Sequence, residues 1–149
     1  AAFARLDEIA SLDPLVKDFV PLMKFELLAE ADEAKAKEFF KNAVTGELKD
    51  NAVVLQKIGT GIAMGYTPFA DPDYETAYLA LERVLQIQKK DVPSVLSAMA
   101  EAKLRTGHKK DALELMERAC EALERDPASS QKEREAYEKR LEQLKDGLG

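Results

Sequence analysis

The stretch KIGTGIAMGYTPFADPD, residues 57–73, is the part of the sequence that most resembles a ligand-binding motif. It holds three of the seven glycines. A dinucleotide-binding loop has the pattern GxGxxG directly after a strand, so that backbone N–H groups point at a pyrophosphate. Gly59 and Gly61 supply the first half of that pattern, but Met64 occupies the third position. The glycines also fall near the C-terminal end of a predicted helix, where the helix dipole disfavours an anion. We therefore predict no phosphate site: Gly59 and Gly61 admit a neighbouring helix, and Gly65 ends the helix.

The other side chains that could take part in catalysis or metal binding are too isolated to form a catalytic or metal site. His108 is the only histidine and lies in a predicted turn, so no second histidine exists for a metal cluster or a proton relay. Cys120 is predicted to be an apolar helix residue, because nothing nearby in sequence favours its thiolate. Asp71 and Asp73 lack the ligand pattern of a calcium loop and are predicted to cap a helix. We predict no enzymatic activity, no cofactor and no bound metal.

The composition excludes several broad classes of protein. The chain has 149 residues, enough for one domain with a substantial core, and its single cysteine excludes an intrachain disulfide. A net charge of -6 opposes binding to a phosphate backbone, so we expect no nucleic-acid partner. No apolar run approaches the roughly 20 residues that span a bilayer, so we expect no membrane insertion. The first residue is not Met, and we expect a processed chain or a fragment of a larger protein.

Sequence patterns typical of helices cover most of the chain, and patterns typical of strands are nearly absent. The Asp-Pro pair at 13–14 is typical of an N-cap and a first helical residue. Gly46 and Gly107 are placed to end helices in the left-handed conformation, and Ser130 with Glu133 has the spacing of a capping box. A short amphipathic opening at residues 2–11 precedes seven predicted helices, at about 14–30, 32–45, 47–64, 72–89, 92–106, 109–125 and 130–146.

One pattern recurs on alternate predicted helices. It consists of a small residue, a large apolar residue four positions later and another small or medium residue three positions after that. Ala77 and Ala112 begin two copies that are 35 residues apart, and Ala36 begins an earlier copy 41 residues before Ala77. Repetition at such a period predicts a stack of helix pairs. The three copies are Ala36, Phe40 and Ala43; Ala77, Leu81 and Val84; and Ala112, Met116 and Ala119.

This pattern on the second helix of each pair, followed by a polar terminal helix, resembles the tetratricopeptide repeat family. The resemblance implies an all-α fold of antiparallel helix pairs, stacked as a short right-handed superhelix of about seven helices with a C-terminal capping helix. It divides a single domain, residues 1–149, into repeats at about 14–45, 47–89 and 92–125 and a capping helix at about 130–146.

In tetratricopeptide arrays the first helix of each pair lines a concave groove that binds a peptide. The places of copy one and copy three that would face this groove are mostly apolar or uncharged, which disfavours a clamp for a peptide carboxylate. The resemblance therefore implies a protein-interaction or scaffolding module without chemistry of its own, which binds an apolar helix or extended segment of another protein. The implied partner-binding residues are Asp18, Pro21, Phe25, Leu28, Ser94, Ser97, Glu101 and Arg105.

Two alternatives stay open. Residues 2–11 could cover the groove, with Phe3, Leu6 and Ile9 filling it. In addition, the stretch MAEAKLRTGHKKDALELMERA, residues 99–119, is similar to helical regions that follow thioredoxin-fold domains in bacterial redoxin fusion proteins. That similarity implies a helical accessory region of a larger redox protein, located in the periplasm or cell envelope.

Overall fold

The computed structural model describes residues 1–147, and all regular secondary structure within that range is helical. The prediction of an all-α fold is therefore confirmed. The last two residues of the predicted domain, 148 and 149, lie outside the described residues. In the described range the helices are α1 (Ala2–Leu12), α2 (Pro14–Lys17), α3 (Val20–Ala31), α4 (Glu33–Thr45), α5 (Ala52–Ala63), α6 (Tyr74–Gln88), α7 (Pro93–Arg105), α8 (Lys109–Arg125) and α9 (Gln131–Asp146).

The described range contains nine helices rather than the seven predicted, because the opening segment is a full helix and the predicted helix at 14–30 is two. The break falls just before Pro21, which lies in the first turn of α3. Proline has no N–H to donate, and its ring clashes with the carbonyl four residues earlier, here that of Lys17. A helix that began at residue 14 therefore cannot continue through residue 21, and α3 has to start anew at Val20.

Side-chain caps begin several helices where the sequence predicts them. The Asp13 carboxylate accepts a hydrogen bond from the Leu15 N–H at 2.9 Å and opens α2. Ser130 and Glu133 form the predicted capping box of α9. Gly107 has a φ of 83°, in the left-handed region predicted for a residue that ends a helix.

Two predicted helix starts are wrong, and one helix end has an unexpected conformation. Asp71 does not cap α6; the cap is Asp73, whose carboxylate accepts the N–H of Thr76 at 3.0 Å and its hydroxyl at 2.6 Å. Helix α5 begins at residue 52 rather than 47, because the Asn51 side chain accepts the Val54 N–H at 3.1 Å and caps the helix there. Helix α4 ends at Gly46 as predicted, but Gly46 has a φ of −107°, outside the left-handed region.

The helices pack in consecutive pairs: α3 against α4, α5 against α6 and α7 against α8. Neighbouring pairs contact one another through α3 with α5, α4 with α6, α5 with α7 and α6 with α7. Helix α9 packs against α8 at one end of the stack, and α1 packs against α3 at the other. The division into three repeats and the right-handed superhelix of the tetratricopeptide type stay predictions.

The recurring small-large-small pattern forms the buried face of α4, α6 and α8. None of its nine residues is more than 3 % exposed. A small residue at the first place allows two helix backbones to approach closely, and the large residue one turn later fills the space beside that crossing. The nine residues are Ala36, Phe40 and Ala43 on α4, Ala77, Leu81 and Val84 on α6, and Ala112, Met116 and Ala119 on α8.

The two glycines of α5 have different surroundings. A Cβ atom on Gly59 would lie 3.0 Å from Cγ of Leu81 and 3.3 Å from the carbonyl oxygen of Ala77, so α6 can approach α5 this closely only because the residue is glycine. A Cβ on Gly61 would meet only Cγ2 of Thr67, at 3.9 Å. The prediction that both glycines admit a neighbouring helix therefore holds for Gly59 and is wrong for Gly61.

This difference predicts opposite effects of one substitution at the two glycines. Gly59→Ala should lower the free energy of unfolding by about 1 kcal/mol or more, because the new methyl overpacks the contact with Leu81. Gly61→Ala should raise it by up to about 1 kcal/mol, because alanine favours the helix and meets no obstacle. Urea denaturation followed by circular dichroism measures both values. The packing described here is wrong if Gly59→Ala stabilises the protein as much as Gly61→Ala does.

Candidate functional site

A groove of about 770 Å³ opens between α3 and α5. Its third side is formed by the connection from α5 to α6, through residues 66–68. The volume falls in the range of sites that bind small ligands or the side chains of a peptide. The part of the sequence that resembles a phosphate loop thus forms one wall of a groove with a largely apolar floor.

The floor of the groove belongs to the hydrophobic core. Leu22 and Phe25 of α3 and Ile58 of α5 line the groove and are buried. The Phe25 ring packs against Phe40, with ring centroids 5.7 Å apart, and against Phe69, with centroids 5.9 Å apart. Because these side chains are already fixed by packing, the floor is formed before any ligand arrives.

Two side chains of α4 hold the connection that forms the third wall. The Glu33 carboxylate accepts the backbone N–H groups of Ala70 and Asp71, each at 2.9 Å. The ammonium of Lys37 donates to the backbone carbonyl of Asp71 at 2.6 Å and to its carboxylate at 3.1 Å. These charge-assisted bonds fix the connection against the first turns of α4. Tyr66 stands at the rim with 75 % of its surface exposed.

The rim carries charges of both signs. Glu26 and Glu30 lie on the α3 side of the groove, and Lys57 lies on the α5 side. None of the three takes part in an ion pair within residues 1–147. Val53 at the α5 rim is 62 % exposed and adds an apolar contact surface.

Of the four implied binding residues in copy one, only Phe25 lines the groove. Pro21 is buried in the first turn of α3, and Leu28 packs half-buried against the core. Asp18 is exposed beyond the end of α2, and its carbonyl accepts a hydrogen bond from the Asn51 side chain at 2.8 Å.

The four implied residues of copy three lie on α7, outside the groove. Ser94 is exposed, and its hydroxyl lies 3.4 Å from the amide of Gln56, a residue of the groove wall. Ser97 is half-buried and Arg105 is exposed at the end of α7. Glu101 is paired with Arg140 of α9, which donates from Nε at 2.8 Å and from Nη2 at 2.5 Å, so this carboxylate already has a partner within the chain.

The first helix does not cover the groove, since no residue of the segment 2–11 lines it. Phe3 packs instead against Phe39 of α4, with ring centroids 6.4 Å apart. Lys24 stands over the Phe3 ring at 5.4 Å and pairs with Asp7 at 2.7 Å. Ile9 is 47 % exposed. The expectation that Phe3, Leu6 and Ile9 fill the groove is therefore wrong for the groove between α3 and α5.

The two isolated side chains considered for chemistry lie elsewhere. His108 is exposed before α8, with Nδ1 2.9 Å from the Thr106 hydroxyl. Cys120 is half-buried on α8; burial raises the pKa of its thiol, and the negative charge of Glu138 raises that pKa further. At neutral pH the thiol is therefore the less nucleophilic, protonated form. Within residues 1–147 no group of three or more His, Cys, Asp or Glu side chains is placed to hold a metal ion.

No protein-family model, curated protein or solved structure matches this chain. The resemblances to tetratricopeptide repeats and to redoxin fusion proteins therefore stay predictions. Among the helices described, none combines the length and the apolar character that crossing a membrane requires.

The wall formed by residues 66–68 contains a buried hydroxyl group without a hydrogen-bond partner in the described range. Oγ1 of Thr67 is enclosed and has no hydrogen-bond partner in the described structure. An enclosed hydroxyl without a partner costs its full desolvation energy. Thr76, in contrast, is buried with its hydroxyl bonded to Asp73.

The two threonines should therefore respond oppositely to valine. Thr67→Val should leave the free energy of unfolding unchanged or raise it by about 1 kcal/mol, because a methyl replaces an unsatisfied hydroxyl. Thr76→Val should lower it by about 1 to 2 kcal/mol, because the bond to Asp73 is lost. Thermal and urea unfolding measure both changes. Equal destabilisation by the two substitutions would contradict the geometry of this wall.

Proposed function

We propose that this chain is a protein-interaction module that binds a short apolar segment of another protein in the groove between α3 and α5. The observation that supports this function is the open groove itself, with its buried floor of Leu22, Phe25 and Ile58 and its exposed apolar rim at Val53 and Tyr66. An apolar concavity beside exposed apolar side chains is typical of a surface that a partner covers.

The length of the groove limits the segment that it holds. Its α3 wall extends from Leu22 to Glu30, which at the helical rise corresponds to about 12 Å. That distance accommodates about four residues of extended peptide or two turns of a helix. We infer that one or two apolar side chains of the ligand enter the groove, while its backbone stays at the rim.

The rigidity of the site favours binding. Phe25 is fixed between Phe40 and Phe69, and the third wall is fixed by Glu33 and Lys37. A preformed groove spends little binding energy on ordering its own side chains. A longer ligand would leave the groove past Gln56 and reach Ser94 of α7, whose hydroxyl lies 3.4 Å from the Gln56 amide.

Substitution of Phe25 is a poor test of this function, since that side chain is part of the core and its truncation would cost about 3 to 5 kcal/mol. Gly61 is a better position because it lines the groove and a Cβ there would make only an ordinary contact, with Cγ2 of Thr67 at 3.9 Å. Gly61→Leu fills the groove without disturbing the core. Leu79→Ala is the matched control, since Leu79 is 54 % exposed on α6, outside the groove.

The experiment selects ligands from a random peptide library of about 12 residues, long enough for three helical turns, with the wild-type protein as bait. Dissociation constants of the selected peptides are then measured by fluorescence anisotropy for each variant. We expect Gly61→Leu to weaken binding at least about tenfold, equivalent to about 1.4 kcal/mol, and Leu79→Ala to leave it unchanged. Peptides that bind Gly61→Leu as tightly as wild type would place the binding surface elsewhere.

A further inference from the structure

We propose that the segment bound in the groove between α3 and α5 is basic as well as apolar, with a lysine or arginine placed beside Glu26 and Glu30. This inference rests on the proposed function, because it specifies the ligand of the same groove. It concerns the chemistry of the ligand and follows from how the charges around the groove are arranged.

Glu26 and Glu30 are one helical turn apart on α3 and form a ridge between two depressions. On one side is the groove, and on the other is a shallow hollow that Leu6, Met23 and Leu27 line. Both residues line both depressions. A cationic side chain can therefore reach them while the neighbouring apolar residues of the ligand occupy the groove.

Like several other exposed carboxylates, these two have no cationic partner in the described part of the chain, and they are set apart by lying one turn apart on the rim of the groove. Asp7, in contrast, pairs with Lys24 at 2.7 Å, and Glu101 of α7 pairs with Arg140 of α9 at 2.5 Å. Neither Glu26 nor Glu30 forms an ion pair within residues 1–147. Like charges at this spacing on a helix repel each other. A ligand cation would relieve that repulsion as well as gain its own attraction.

Lys57 determines where such a cation lies. Lys57 belongs to the α5 side of the groove, whereas Glu26 and Glu30 belong to the α3 side. It repels a ligand cation from that wall, so the basic residue is confined to the α3 side. The charge arrangement therefore selects both the composition of the segment and its orientation across the groove.

The test repeats the library selection with two baits, the wild type and the double variant Glu26→Gln with Glu30→Gln. Only peptides whose binding is lost with Gly61→Leu are counted as ligands of the groove. We expect those selected by the wild type to be rich in Lys and Arg next to apolar residues. Those selected by the double variant should show no such excess.

The affinity of one selected Lys-containing peptide is then measured for each variant. This comparison separates the attraction between the peptide and the two glutamates from the general effect of the net charge of the protein. The glutamate double variant should bind it about five- to twentyfold more weakly. The control double variant, Glu38→Gln with Glu114→Gln, removes the same charge at exposed sites on α4 and α8 and should leave the affinity unchanged within about twofold. Lys57→Gln should tighten binding by about twofold, because it removes a repulsion.

The outcomes distinguish this inference from the proposed function. Groove-dependent peptides without an excess of Lys and Arg, or an excess that the glutamate double variant selects equally, would overturn the basic ligand and leave the binding groove in place. An equal loss of affinity in the two double variants would also overturn it, because the attraction would then be general. If no selected peptide depends on Gly61, the proposed function fails and this inference fails with it.

Discussion

The close contact of α5 with α6 is the constraint on which the rest of the structure depends. A Cβ atom at Gly59 would already stand 3.0 Å from Cγ of Leu81, so the two helices can pack in this way only around glycine. With Leu55 and Ile62 buried in the core, α5 turns its other face, including Val53, towards α3. Because α3 packs mainly against α4, that face is not fully covered, and the groove is the space that remains.

The connection between α5 and α6 converts this space into a defined site. Its Phe69 ring packs against Phe25 and closes the floor, while Glu33 accepts two of its backbone N–H groups. A carboxylate that accepts two such bonds binds more strongly than neutral groups do. Residues 70–71 of the connection are thus attached to α4, while its residues 66–68 form the third wall of the groove between α3 and α5. This attachment explains how a long turn provides a fixed surface.

Much of the fold could be predicted from local sequence, whereas the groove could not. Caps such as Asp13 and Ser130 act within three residues, so short patterns reveal them. The break before Pro21 also follows from a local effect, the disruption of a helix by proline. The prediction of one helix over residues 14–30 did not take this effect into account. The contact of Glu33 with residues 70–71 joins parts of the chain that only tertiary packing brings together, and no pattern of spacing indicates it. The implied partner-binding residues on α7 stay a prediction, and the groove between α3 and α5 is lined by α5 and by no residue of α7.

The central claim is that an open groove exists between α3 and α5 while α1 packs elsewhere. Nuclear Overhauser effects between side-chain protons in solution test this most directly. The structure predicts effects between the rings of Phe25 and Phe69 and between those of Phe3 and Phe39, and none between α1 and Val53. Effects from the methyl groups of Leu6 or Ile9 to those of Val53, on the far side of the groove, would contradict it, because α1 would then fill the groove.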